Sequence, residues 1–199
     1  MPRPRIPWDP AAFHEWYEKV PDHMRQCAWD DLERDHRKVY VEWKTFRAFA
    51  TASGLDIDLR SIEMCDPNAA APPMPDVNCL VSGELVYFEL GEVTGENLAR
   101  TASIALKNRQ KIFGGAVSQR QPLIRIFLKK CRKRYTTNGR PSHLVLHFAV
   151  GRQSPFEPQL NDDLEKWRDR LIQRIRRSQF SSIWLYDDWK KVVLARLDR

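Results

Sequence analysis

The sequence predicts an α/β domain built on a mixed sheet flanked by helices, preceded by a helical N-terminal segment. Three observations carry this: two helix-period stretches at the start, a strand–turn–strand pattern over 77–93, and helices alternating with apolar strand-like runs thereafter. The 199 residues suffice for one domain with a buried core. We divide the chain into an appendage, 1–21, and a single domain, 22–199.

The elements follow in order. Asp9-Pro10 offers an N-cap and a first-turn proline, and Phe13, Trp16, Tyr17 and Val20 form a helical stripe that Pro21 ends. Asp22 then caps one long helix to about Ser53, with Gly54 as its stop and Ala28, Leu32, Val39, Trp43, Phe46 and Ala50 facing inward. Ile57, Leu59, Ile62 and Met64 predict a strand with one irregularity, ended by Asp66-Pro67. After a Pro- and Ala-rich loop, Val77–Val81, the turn Ser82-Gly83-Glu84 and Leu85–Val93 read as a β-hairpin. Leu98–Phe113 has partial helical spacing, broken by Gly114-Gly115. Leu123, Phe127, Cys131 and Tyr135 recur every four residues and mark a further helix with Pro122 near its start. His143–Val150 is a near-continuous apolar run, as a strand covered on both faces requires. Leu160, Leu164, Trp167, Leu171 and Ile175 give another helix, and Ser182–Tyr186 with Lys191–Leu197 give two closing strands.

Charge is distributed unevenly. Asn97–Phe156 holds no acid and thirteen Lys or Arg; the other twenty basic residues face all 26 acids, a net of −6. Positive charge confined to one segment points to a polyanion, with nucleic acid first. Arg125, Lys129, Lys130, Lys133 and Arg134 on the basic helix are the candidate phosphate-backbone contacts. A solvated helix face, or a surface for an acidic protein partner, would have the same composition. No run of residues is apolar enough to span a bilayer, and no signal peptide precedes the domain. The four cysteines, with no CxxC, read as reduced thiols in a cytoplasmic protein. His143 and His147 lie four residues apart on one strand, about 13 Å, too far to share an ion. The sequence contains no GxxxxGK[ST], GxGxxG or GxSxG motif.

The chemistry concentrates at Pro75-Asp76 and Glu89. Glu89 lies among Leu85, Val86, Tyr87, Phe88 and Leu90, in a strand that reads as central. An ionised carboxylate there costs several kcal/mol unless a cation accompanies it. Asp76 enters the partner strand, so both carboxylates can converge with the Leu90 carbonyl, an oxygen set suited to Mg²⁺ or Mn²⁺. A turn aspartate at 76 and a buried Glu89–arginine pair are the structural alternatives.

This stretch resembles the PD-(D/E)xK nuclease superfamily, whose restriction-endonuclease-like fold carries Pro-Asp and a second acid across a hairpin. The element order over 22–53, 57–64, 77–81, 85–93, 121–136 and 143–150 is similar to that fold. The resemblance implies a metal-dependent endonuclease acting on DNA, with a metal-bound water as nucleophile and the possibility of a homodimer. Where the family has its lysine, this chain has Gly91. The cation then comes from Lys107, Lys111 or Lys130, or catalysis is lost and a nucleic-acid-binding platform remains. Glu92 is a substitute ligand only if the strand ends or bulges at Gly91. Glu42 or Glu33 in the first long helix is the candidate accessory acid.

Overall fold

The computed structural model describes residues 9–66, 70–93, 120–148 and 168–199, with side chains omitted at 120–122. The protein is mixed α/β. Its helices are α1 (Pro10–Lys19), α2 (Asp22–Asp30), α3 (Arg34–Ala52), α4 (Arg120–Arg132) and α5 (168–176). Its strands are β1 (Glu63–Met64), β2 (Val77–Val81), β3 (Glu84–Glu92), β4 (Ser142–Phe148), β5 (Ser182–Asp187) and β6 (Val192–Asp198). They form one six-stranded sheet in the order 1-2-3-4-5-6. β1, β2 and β3 run antiparallel in turn, β3, β4 and β5 are parallel, and β6 returns antiparallel. Among the described residues no helix is long and apolar enough to cross a membrane.

The chain separates into two compact units, Met1–Arg47 and Ala48–Arg199. In the first, Asp9 caps α1 as its sequence predicts, its Oδ1 accepting from Ala12 N at 2.8 Å. Phe13 is buried and packs edge-on against Tyr40 at 4.8 Å and stacks with Tyr17 at 5.4 Å. The predicted single helix from 22 to 53 is instead two, broken at residues 31–33. Asp30, Asp31 and Glu33 explain the break. Acids oppose the dipole at a helix C-terminus and suit it at an N-terminus, where α3 also carries Asp35. Nor is Asp22 a cap: it lies inside α2 and pairs with Arg25 at 3.0 Å.

In the second unit, β2 and β3 form the predicted hairpin. Ser82 and Gly83 both take positive φ, 49° and 82°, as a two-residue turn matching strand twist demands. The predicted strand over 57–64 is interrupted: Ile57 makes an isolated bridge to Val81, Leu59–Ser61 form a 3-10 turn capped by Asp58, and only Glu63–Met64 pair with β2. The Asp58 side chain accepts from Arg60 N, a local bond that competes with extended pairing.

β4 is the covered central strand its composition predicts, with Leu144, Val145 and Leu146 all at 0% exposure. One sheet face joins α4 through a core containing Leu123, Phe127, Leu144, Leu146, Ile175, Ile183 and Leu185. On the other face Phe49 meets Phe88, Trp184 and Tyr186 with ring centroids 5.5–6.2 Å apart. The predicted helix over 98–113 lies outside the described residues, as do the start of the 160–175 helix and residues 149–150 of the β4 run.

Candidate active site

Hairpin pairing places the two acids. Val77 opposes Phe88, so Asp76, one residue before β2, stands across from Glu89 in β3. Asp76 is held at both ends: its carbonyl accepts from Cys65 N at 2.9 Å, and its Oδ2 accepts from Leu90 N at 2.7 Å. The loop before it is tied down by Thr136, whose N donates to Pro73 O at 2.9 Å and whose hydroxyl donates to Pro72 O.

Glu89 is only 2% exposed. Its Oε1 accepts from the Tyr135 hydroxyl at 2.7 Å and forms a very close ion pair with Lys130 Nζ. Its Oε2 is buried with no hydrogen-bond partner. Burial first, and then the Asp76 charge, push the Glu89 carboxyl above its usual range, against the opposing pull of Lys130 and Tyr135. Burial and the Glu89 charge likewise raise the Tyr135 phenol, which stays protonated and donates. Tyr135 is itself clamped: its N donates to Gln179 Oε1 at 2.7 Å and its carbonyl accepts from Gln179 Nε2 at 3.3 Å.

Lys130 completes the cluster from α4. Its ammonium donates to Leu90 O at 2.6 Å and lies 3.9 Å from Asp76 Oδ2, besides its contact with Glu89. Gly91 lies beneath the Lys130 stem. A Cβ there would meet Leu146 Cδ2 at 2.7 Å, Ile126 Cγ2 at 3.2 Å and Lys130 Cε at 3.8 Å. The side of the strand where residue 91 would project is therefore filled by Leu146, Ile126 and the Lys130 stem. The cation arrives from the facing helix, 41 residues further along the chain than Glu89.

Glu92 stays in regular strand pairing opposite His147, exposed and on the face away from Glu89, because β3 neither ends nor bulges at Gly91. Lys107 and Lys111 lie outside the described residues. The Leu90 carbonyl, expected as a metal ligand, is engaged by Lys130. Lys130, expected among the phosphate contacts, turns inward, while Arg125, Lys129, Lys133 and Arg134 are exposed. Glu42 pairs with Lys38 at 3.7 Å, and exposed Glu33 lies 3.8 Å from His36.

Sequence reasoning missed Tyr135 and Gln179 as site residues. Tyr135 was visible only as the last position of a helical stripe, which it extends beyond the end of α4. His143 is hydrogen-bonded to the Ser182 hydroxyl at 2.6 Å, whereas His147 Nδ1 is buried without a partner.

Among the described residues no three His, Cys, Asp or Glu side chains converge as a metal-ligand set. Two carboxylates do converge, the buried Glu89 and the partly exposed Asp76. The chain matches no family model, no curated protein and no solved structure.

Proposed function

We propose that this protein is a metal-dependent phosphodiesterase, an endonuclease acting on DNA, on a divergent restriction-endonuclease-like fold. The observation that carries this reading is the convergence of Asp76, Glu89 and Lys130, the last reaching in from α4 where Gly91 leaves no strand lysine. The antiparallel β1–β2–β3 followed by parallel β4 also suits that fold. The residues present fit a Mg²⁺ or Mn²⁺ ion. Glu89 Oε2 is a buried carboxylate oxygen with no other partner, and the Asp76 carboxyl stands across the hairpin from it.

Such an ion, when bound, polarises a phosphodiester oxygen and makes a water nucleophilic at neutral pH. The chain supplies the rest. Asp76, fixed by Leu90 N, and Glu89, fixed by Tyr135, would hold the ion. Lys130 brings a positive charge to the edge where the phosphate would lie, and a charge positioned there stabilises the negative charge that develops in the transition state. Exposed Arg125, Lys129, Lys133 and Arg134 hold the backbone without reading sequence.

The test is cleavage of plasmid and single-stranded DNA in Mg²⁺ and in Mn²⁺. Wild type should cut, while Glu89→Ala and Lys130→Ala should not. Wild-type inactivity with both metals and both substrates would refute the enzyme.

One observation favours a second reading, a non-catalytic nucleic-acid-binding protein on the same fold: the Lys130 ammonium already contacts the oxygens expected to hold the ion. That reading expects metal-independent DNA retention, with the slope of log affinity against log salt falling by about one unit for each of Lys129→Ala and Lys133→Ala.

A further inference from the structure

Lys130 Nζ is bonded to Glu89 Oε1 and Leu90 O and lies 3.9 Å from Asp76 Oδ2. These belong to the three groups whose oxygens the sequence offers to a divalent ion. An ammonium and a dication both seek a cradle of oxygens, and two carboxylates cannot favourably host both cations at contact distance without another anion. We infer that Lys130 and a divalent ion compete for one cradle, so that the ion binds by displacing the ammonium and an arriving phosphate receives it.

The inference rests on the nuclease reading and adds regulation of that site. Three features support displacement over coexistence. The Lys130 side chain retains 18% exposure, so it is not sealed beneath the surface. Its Cε passes over Gly91, which has no side chain of its own to wedge the stem in place. Tyr135 holds Glu89 Oε1 independently of Lys130, so the carboxylate keeps its aim when the lysine leaves. A displaced ammonium beside a phosphodiester gains an anionic acceptor, whereas one displaced into water gains only hydration. Metal and nucleic acid therefore bind with positive coupling, and each strengthens the other by the same factor.

The experiment titrates Mn²⁺ by electron paramagnetic resonance into wild type, Lys130→Met and Lys130→Gln, alone and with a short duplex bearing phosphorothioate linkages. Lys130→Gln retains a polar contact for Glu89 and Leu90 while removing the charge, so the outcome does not hang on whether Lys130→Met folds. Loss of the ammonium should tighten Mn²⁺ binding about ten-fold or more. The duplex should tighten Mn²⁺ binding to wild type by a comparable factor and to Lys130→Gln far less. Lys130→Gln binding Mn²⁺ no more tightly than wild type overturns the inference and leaves the nuclease reading standing. An equal duplex effect in both proteins also overturns it. Binding by Lys130→Gln but never by wild type, with duplex or without, makes the ammonium a block that no phosphate relieves, and overturns both the inference and the nuclease reading. No Mn²⁺ binding by any of the three overturns both.

Discussion

Gly91→Ala probes the packing of β3 against Leu146 and Ile126 beside the Lys130 stem. The new Cβ would stand 2.7 Å from Leu146 Cδ2, closer than carbon atoms tolerate, and 3.2 Å from Ile126 Cγ2. Leu146 has 0% exposure, so its methyl has little room to retreat. Overpacking of this kind costs ~1–3 kcal/mol. Removing glycine's extra freedom in the unfolded chain returns ~0.5–1 kcal/mol. Mid-range values leave a destabilisation of about 1 kcal/mol. With a mid-range urea m-value of ~2 kcal/mol/M, the midpoint falls by roughly 0.5 M. Urea unfolding followed by far-UV circular dichroism measures it, and a cycle with Leu146→Ala assigns the cause. Once the Leu146 methyls are gone, Gly91→Ala should be close to neutral. An unchanged or raised midpoint would refute the reasoning, as would a cost that persists in the Leu146→Ala background. Lys130 Cε, at an ordinary 3.8 Å from the new Cβ, keeps its place, so the effect is one of packing and not of charge.

Two further predictions concern the charged groups. Tyr135→Phe removes the hydroxyl that donates to Glu89 Oε1, a bond to a charged acceptor worth ~1.5–3 kcal/mol. The bond favours the ionised carboxylate, so the loss should be larger at pH 8 than at pH 5; equal loss at both, in urea titrations, would contradict the assigned role. His143 and His147 are each lowered to about 4, chiefly by burial. Because the folded state disfavours their protonated forms, their contribution is whole above about pH 6.5 and is lost as pH falls toward 4, ~3 kcal/mol for each. His147→Leu, which also removes an unpartnered buried nitrogen, should reduce that fall by about half. A stability profile unchanged from pH 7.5 to 4.5 by the substitution would rule this out.

The features legible in the sequence were those set by near neighbours. The hairpin is one, because turn chemistry and alternating pattern lie within seventeen residues of each other, and its pairing brings Asp76 to Glu89 whatever surrounds it. The α1 cap is another, a bond spanning three residues. The burial of Glu89 followed from its apolar neighbours on both sides of the pleat. The break between α2 and α3 was not read, because the apolar period continues across it and only the acids at 30, 31 and 33 mark the two termini. The strand over 57–64 failed for a similar reason: its apolar residues suit an extended run, but the Asp58 side chain favours a turn.

The sequence by itself determined an alternating α/β order, a covered β4, a basic helix, and two acids in one hairpin that needed a cation. It did not determine which cation. Lys107, Lys111 and Lys130 are equivalent along the chain, and Tyr135 looks like any other apolar-stripe residue. Only tertiary packing set α4 against β3 and brought the Lys130 ammonium to Glu89 and Leu90. The physical reason is range: a cap or a hairpin is decided by residues a few bonds apart, whereas the Lys130–Glu89 and Tyr135–Glu89 contacts join residues 41 and 46 positions apart and exist only once helix and sheet share a core.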